Sequence, residues 1–272
     1  MFPEDGITKG DLASYYEQVA PVMLPHMAGR PVTMERFHRG IGEAGFFQKN
    51  VSKGAPSWLE TVAVPKKEGV VNYPVIRDER GIMWLANQNC ITPHVWTSRA
   101  PELLHPDLCV FDLDPIDDDS PLLRDAALLL RDLLEELGCR SWVKTTGSKG
   151  FHVVVPLDRT ADYGEVARFG HRVGRMLVER DPAHLTLEFY KADRGGRILV
   201  DTGRNEFGAT FAAAYAVRPK SHAPVSAPCT WDEVESGCAT PRAFTLRGMP
   251  DRLAAVGDLW SDLYVSGKGL SS

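Results

Sequence analysis

The sequence has no long apolar run. Its apolar stretches, such as Ala126 to Leu130, are cut short by charges and fall far below the roughly 20 residues that a membrane span needs. The opening MFPEDGITKGD lacks a basic segment followed by an apolar one, so no secretory signal is read there and a cytoplasmic protein without a membrane partner is expected. Cysteine is scarce: Cys90, Cys109, Cys139, Cys229 and Cys238 are scattered, odd in number and without a C-x-x-C pair. That pattern predicts free thiols in a reducing compartment and no disulfide. A basic excess is missing as well. With 31 Lys and Arg against 36 Asp and Glu the net charge is −5, which excludes coating a nucleic acid through global positive charge and requires any such site to be concentrated.

What is present is ordinary globular material, 272 residues with 43% hydrophobic and 25% charged side chains, so disordered, collagen-like and coiled-coil readings lose support. No repeat, low-complexity segment or strong linker divides the chain. One compact unit over residues 1–272, with room for two lobes, is expected.

Apolar residues at helical spacing follow Thr8, which suits an N-cap, and run to a stop at Gly29, with Lys9 in the first turn. Short β-rich pieces come next, at Val32 to Met34, Phe46 to Phe47, Thr61 to Val64 and Tyr73 to Ile76. A second helix is read over Gly81 to Asn89. Beyond it the order is strand Leu108 to Leu113, helix Pro121 to Leu137, strands Ser141 to Lys144 and Phe151 to Val155, helix Tyr163 to Val178 and strand Arg197 to Val200, with short helices and turns from Trp231 onward. Buried strands alternating with amphipathic helices predict an α+β, or mixed α/β, core.

The sharpest chemical feature is Val110-Phe111-Asp112-Leu113-Asp114-Pro115. Residues i and i+2 of a strand share a face, so Asp112 and Asp114 present paired carboxylates, an oxygen-rich platform for Mg²⁺ or Mn²⁺. The plainer reading is that they cap turns and face water, as Asp117, Asp118 and Asp119 are expected to do before the helix. Ile198-Leu199-Val200-Asp201 again ends an apolar strand in an aspartate, and three such acids can hold two cations for phosphoryl transfer. Cys90-x3-His94 and His105-x3-Cys109 can be written as a zinc site, but the spacings are loose and Cys109 lies in an apolar run that reads as a buried strand.

Between the acids lies Lys144-Thr145-Thr146-Gly147-Ser148-Lys149-Gly150-Phe151-His152. Its glycines let the backbone approach a ligand, while exposed N–H groups, Ser148 and Lys149 suit a phosphate cradle. It is not a Walker motif, since a strand and not a helix follows, and a plain hairpin turn fits it equally well. Basic residues gather nearby in sequence: Arg194, Arg197, Arg204, Arg218, Lys220 and Lys49. His94 is either a substrate contact or a hydrogen-bonded loop histidine.

Taken in order, ITKGDLASYYEQVAPVMLPHMAGRPVTMERF, FFQKN, GIMWLANQNCITPHVWTSR, VFDLDP, KTTGSKGFHVVVPL, KADRGGRILVDTGRNEFGATFAAAYAVRP and APVSAPCTWDEV resemble the polymerase domain of bacterial ligase D, within the archaeo-eukaryotic primase superfamily. The resemblance runs across nearly the whole chain. It implies a primase-like catalytic core with a central β-sheet flanked by helices, and a template-directed nucleotidyltransferase. Such an enzyme extends primers and fills short gaps during end joining, with ribonucleotides preferred and manganese, or magnesium, as cofactor. Asp112, Asp114 and Asp201 would be the catalytic metal ligands, and Ser148, Lys149 and Arg218 would hold the incoming triphosphate. His94 and Lys49 would lie near the nucleotide, and Lys9 near the downstream 5′-phosphate of DNA.

The partners implied are gapped or primer-template DNA, NTPs and dNTPs. The family pattern carries a second lysine upstream of Lys9 that has no counterpart in this sequence, so weaker 5′-phosphate recognition is expected. A stand-alone enzyme, nucleoid-associated and served in trans by a separate ligase and end-binding protein, is the corresponding expectation. Thr146 stands where the family commonly has serine, and Thr202-Gly203 replaces a bulkier pair. De novo priming and a non-catalytic DNA-end binder are the alternative functions.

Overall fold

The computed structural model describes residues 1–118 and 120–270. In chain order the elements begin with α1 (Lys9–Met27), β1 (Val32–Arg36), β2 (Phe46–Gln48), β3 (Glu60–Pro65), β4 (Val70–Val75), α2 (Glu79–Asn87), β5 (Cys90–Val95) and β6 (Leu108–Asp114). They continue with α3 (Leu123–Glu136), β7 (Trp142–Thr145), β8 (Phe151–Pro156), α4 (Tyr163–Arg180), β9 (Leu185–Thr186) and β10 (Ile198–Asp201). Last come β11 (Phe211–Ala212), β12 (Ala216–Val217), β13 (Val225–Ser226), β14 (Pro228–Cys229), α5 (Trp231–Glu235) and α6 (Met249–Val256). The mixed α+β class holds, with the strands divided between sheets in two compact units.

Unit 1 comprises residues 1–103, 210–226 and 244–258. Thr8 caps α1 through a reciprocal capping box with Asp11, which satisfies backbone donors that a helix start leaves open. The sheet has the order β11-β5-β1-β2, antiparallel throughout, beside the hairpin β3–β4 and the pair β12–β13. The segment around His94 is strand, not loop: Cys90–Val95 forms β5, between β1 and β11. Proline at position 93 hides that strand from a pattern reading, since it costs a ladder donor. The second helix starts two residues earlier than expected, at Glu79, because Asp78 accepts from Gly81 N as its cap.

Unit 2 comprises residues 104–209, 227–243 and 259–272. Its six-stranded sheet has the order β14-β7-β8-β6-β10-β9, antiparallel except where β9 joins β10. Helices α3 and α4 pack on each other and on β6 and its neighbours, burying the apolar stripes Leu123, Ala127, Leu130, Leu134 and Val166, Val173, Leu177. Helix α3 begins at Leu123, its N-cap is Leu122, and no side chain caps it. Asp117 is exposed and Asp118 is drawn into ion pairs, while Asp119 lies outside the described residues. Cys90 and Cys109 are buried in strands, and burial pushes both thiols up, which suits core residues and not metal ligands. No helix among the described residues is long and apolar enough to cross a membrane.

Candidate active site

Strand β6 is buried from Leu108 to Phe111 and at Leu113, and only Asp112 and Asp114 are partly exposed. Strand β10 runs antiparallel beside it in a register that sets Asp201 opposite Asp112 and Leu199 opposite Asp114. Paired residues and i, i+2 residues share a sheet face. The three carboxylates are therefore on one face of unit 2.

Each is met by a cation. Arg204 reaches Asp201 Oδ2 at 2.8 Å through Nη2 and lies 3.4 Å from Asp112 Oδ2 through Nε. Burial opposes the Arg204 charge, but Asp112 and Asp201 beside it raise its pKa overall. Arg194, 3% exposed, reaches Asp114 Oδ2 at 3.1 Å. It also donates to the carbonyls of Asp114, Glu188 and Phe189. Asn205 fastens this corner: its Oδ1 accepts from Val110 N, and its Nδ2 donates to Val110 O and Thr202 O.

Behind Asp112 lies a buried pair. Lys144 Nζ is 2.7 Å from His152 Nδ1. An ammonium can only donate, so Nδ1 accepts and Nε2 carries the proton, facing Asp112 Oδ2 at 3.6 Å. Burial, then the Lys144 charge, push His152 down to about 4, so the ring is neutral at pH 7. Burial would raise the Asp112 carboxyl, yet His152, Arg204 and Lys144 outweigh it and hold it at about 2. With His152 neutral, Arg204 and Lys144 supply the lasting positive charge, and Asp112 stays ionised.

The turn between β7 and β8 is a closed hairpin. Thr146 Oγ1 accepts from Ser148 N and Gly150 N, so these two N–H groups are taken up within the turn. Lys149 Nζ donates to Ile116 O at 2.7 Å and pairs with Asp118 at 2.9 Å. Gly150 has its own reason: a Cβ there would overlap Leu113 O, so what the backbone approaches closely is strand β6. Arg242 escaped the sequence reading. It donates to Ser148 O at 2.8 Å and pairs with Asp118, a clamp that its distance in sequence concealed. The exposed aromatics Phe189 and Tyr190, in edge contact at 5.7 Å, were likewise unread, although Phe-Tyr outside any apolar period was a visible signal.

Unit 1 gathers a second set. His94 Nε2 lies 3.0 Å from Glu35 Oε2 across the β1–β5 ladder. Burial would raise the Glu35 carboxyl, but His94 and the charge of Arg218 bring it below its usual range. Phe47, 62% exposed on edge strand β2, meets the His94 ring edge-on at 5.3 Å, and exposed Lys49 follows on the same chain segment. Lys9 stands apart from these, with Nζ donating to Asn87 O at 2.6 Å at the end of α2.

Hard carboxylate oxygens on one face, at least one of them held ionised, suit a hard divalent cation. In this conformation they are engaged by arginines, and among the described residues no group of three or more His, Cys, Asp or Glu is already gathered for a metal.

A family model described as LigD, primase-polymerase domain, matches residues 8–260. The multifunctional non-homologous end joining protein LigD of Mycolicibacterium smegmatis is 35% identical over 268 residues, covering 97% of this chain and 35% of that protein. The Pseudomonas aeruginosa counterpart is 33% identical over 96% of this chain and 31% of its own. For the bifunctional non-homologous end joining protein LigD of Bacillus subtilis the values are 30%, 97% and 43%. The chain thus spans about a third to less than half of the length of these relatives. The solved polymerase domain of Mycobacterium tuberculosis ligase D in complex with DNA superimposes with a TM-score of 0.91 at 33% identity, over 98% of this chain and 95% of that one. The chain belongs to the LigD primase-polymerase domain family.

Proposed function

We propose that residues 1–272 act as one primase-polymerase domain that extends a DNA primer from its 3′-hydroxyl and fills short gaps, with ribonucleotides preferred. The observation that carries this reading is the register of β6 and β10, which sets Asp201 opposite Asp112 and beside Asp114. Those three carboxylates are the residues that would hold manganese or magnesium. A divalent cation bound there supplies positive charge to the phosphates and a Lewis acid for the attacking hydroxyl.

The chain's own groups do the rest. Arg204 and Lys144 keep Asp112 ionised, with the neutral His152 ring facing it. Arg204 ties Asp112 to Asp201, so the two carboxylates are held together before substrate arrives. Asp201 accepts the proton of the primer hydroxyl. Ser148, Lys149 and Arg218 take the triphosphate, His94 and Lys49 lie along the nucleotide, and Lys9 meets a downstream 5′-phosphate. Work at DNA ends, in the cytoplasm at the nucleoid, is inferred from the relatives named for non-homologous end joining.

The test is single-nucleotide incorporation on a one-nucleotide-gapped, 5′-phosphorylated duplex, ribo- against deoxynucleotide and Mn²⁺ against Mg²⁺, with Asp112→Asn as control. Loss of about a hundredfold or more in the variant, with its melting retained, is expected. Equal incorporation by the variant overturns the reading. Dinucleotides made on an unprimed template would instead mark a priming enzyme, and binding without incorporation a DNA-end module.

A further inference from the structure

Helix α4 carries Arg168, His171, Arg172 and Arg175, spaced i, i+3, i+4 and i+7 and all exposed. That spacing puts them on one face. With Thr202 and Glu206 they line an open cavity of about 820 Å³ in unit 2. Exposed arginines usually have acids at hand, as Arg180 has Glu136. Among the described residues the side chains of Arg168, His171 and Arg175 make no hydrogen bond or ion pair. Arg172 lies over the Phe169 ring, 5.6 Å from its centre. Of the acids nearby, Glu165 is taken up by the helix cap, where it accepts from Asp162 N, Glu206 remains at the rim, and Glu179 follows Arg175 one turn on.

This strip is not on the carboxylate face. A Cβ at Gly174 would lie 3.2 Å from Thr202 Cγ2 and 3.8 Å from Val200 Cγ1, so Val200 and Thr202 turn toward α4. Asp201, between them, turns the other way, and Asp112 and Asp114 with it.

We propose that this face of α4 is a second nucleic-acid docking strip that grips the phosphodiester backbone away from the reacting end, an inference that rests on the polymerase reading. The chain as a whole is acidic, at −5, so exposed arginines in a row are the concentrated site such a protein needs. From Arg168 to Arg175 the helix rises about 10 Å, the length of about three phosphate steps along one strand. The four side chains of the strip are all polar, which favours a phosphate backbone over an acidic polypeptide docked through hydrophobic residues.

The test replaces Arg168, Arg172 and Arg175 by Gln in the full chain, a change that preserves helix propensity and is checked by thermal melting. Binding to a gapped duplex with arms of about 30 base pairs is followed by anisotropy from about 50 to 200 mM salt. Each lost phosphate contact should reduce the slope of log K against log salt by about 0.9, so a drop of about 2 to 3 is expected. Incorporation at saturating DNA should be unchanged. An identical slope in both proteins overturns the inference. An identical slope together with poly-glutamate binding that only the wild type retains assigns the strip to an acidic polypeptide. Wild-type protein that binds DNA with the steep slope but incorporates nothing fails the polymerase reading and leaves the strip standing.

Discussion

Asp112 and Phe47 stand on strands of different sheets, and their surroundings differ in kind. Around Asp112, Arg204, His152 and Lys144 fix one carboxylate, Asn205 fixes the loop that carries Arg204, and Gly150 lets the neighbouring turn close on β6. Phe47 has one ring contact and open solvent. The first region has its charge and geometry settled within the protein, which is what electrostatic preorganisation requires. The second spends little on internal contacts and leaves an aromatic face available to something else.

The harshest way to break the first region is Gly150→Ala. The added methyl meets the backbone oxygen of Leu113 and comes to 3.5 Å of Pro115 Cδ, and neither is the end of a flexible side chain that can swing aside. The turn must leave β6, taking Ser148 and Lys149 with it. A loss of about 4 kcal/mol in denaturant unfolding is expected, with incorporation reduced even below the melting transition. A variant as stable as the parent would remove the close approach from the account.

That turn also marks how far the sequence could be read. The DxD pair, the third aspartate and the K-T-T-G-S-K-G-F-H stretch were visible because local spacing sets which residues share a strand face and where glycine lies. The register that brings Asp201 to Asp112 is a long-range pairing, and it could only be expected. The turn was read as offering exposed N–H groups because nothing in the letters says that Thr146 accepts from those of Ser148 and Gly150. Arg242 and the Glu35–His94 pair join segments far apart in the chain, and periodicity carries no information about them. Strand β5 was missed because Pro93 interrupts the signal that would have announced it.

A gentler probe of the same region is pH. His152 falls from 6.5 to about 4 in the folded chain. Below pH 6.5 the unfolded chain takes up a proton that the folded one refuses, so stability is lost as pH falls from 6.5 toward 4. The loss is on the order of 3 kcal/mol. Asp112, lowered from 3.8 to about 2, adds a second loss between those values, in the same direction. Denaturant midpoints of the metal-free chain at pH 7 and pH 4.5 should therefore separate, and His152→Gln should narrow the gap. An equal gap in the two proteins would mean that His152 does not carry the acid sensitivity.

The smallest effect on stability, and the one that sharpens the contrast, belongs to Phe47→Ala. An exposed side chain on a short edge strand supports little of the core, so unfolding should change by no more than about 0.5 kcal/mol. If the ring is a stacking surface for a base of the bound nucleic acid, its removal should weaken DNA or nucleotide binding by about 1 kcal/mol, or about fivefold, because each stacked base contributes on that scale. The rate at saturating substrate should hold, since Phe47 lies outside the carboxylate set. A Phe47→Trp exchange should restore affinity where Leu does not, because stacking needs a flat π-face and burial alone does not. Affinity retained by Ala, or restored equally by Leu and Trp, would make Phe47 an ordinary surface residue.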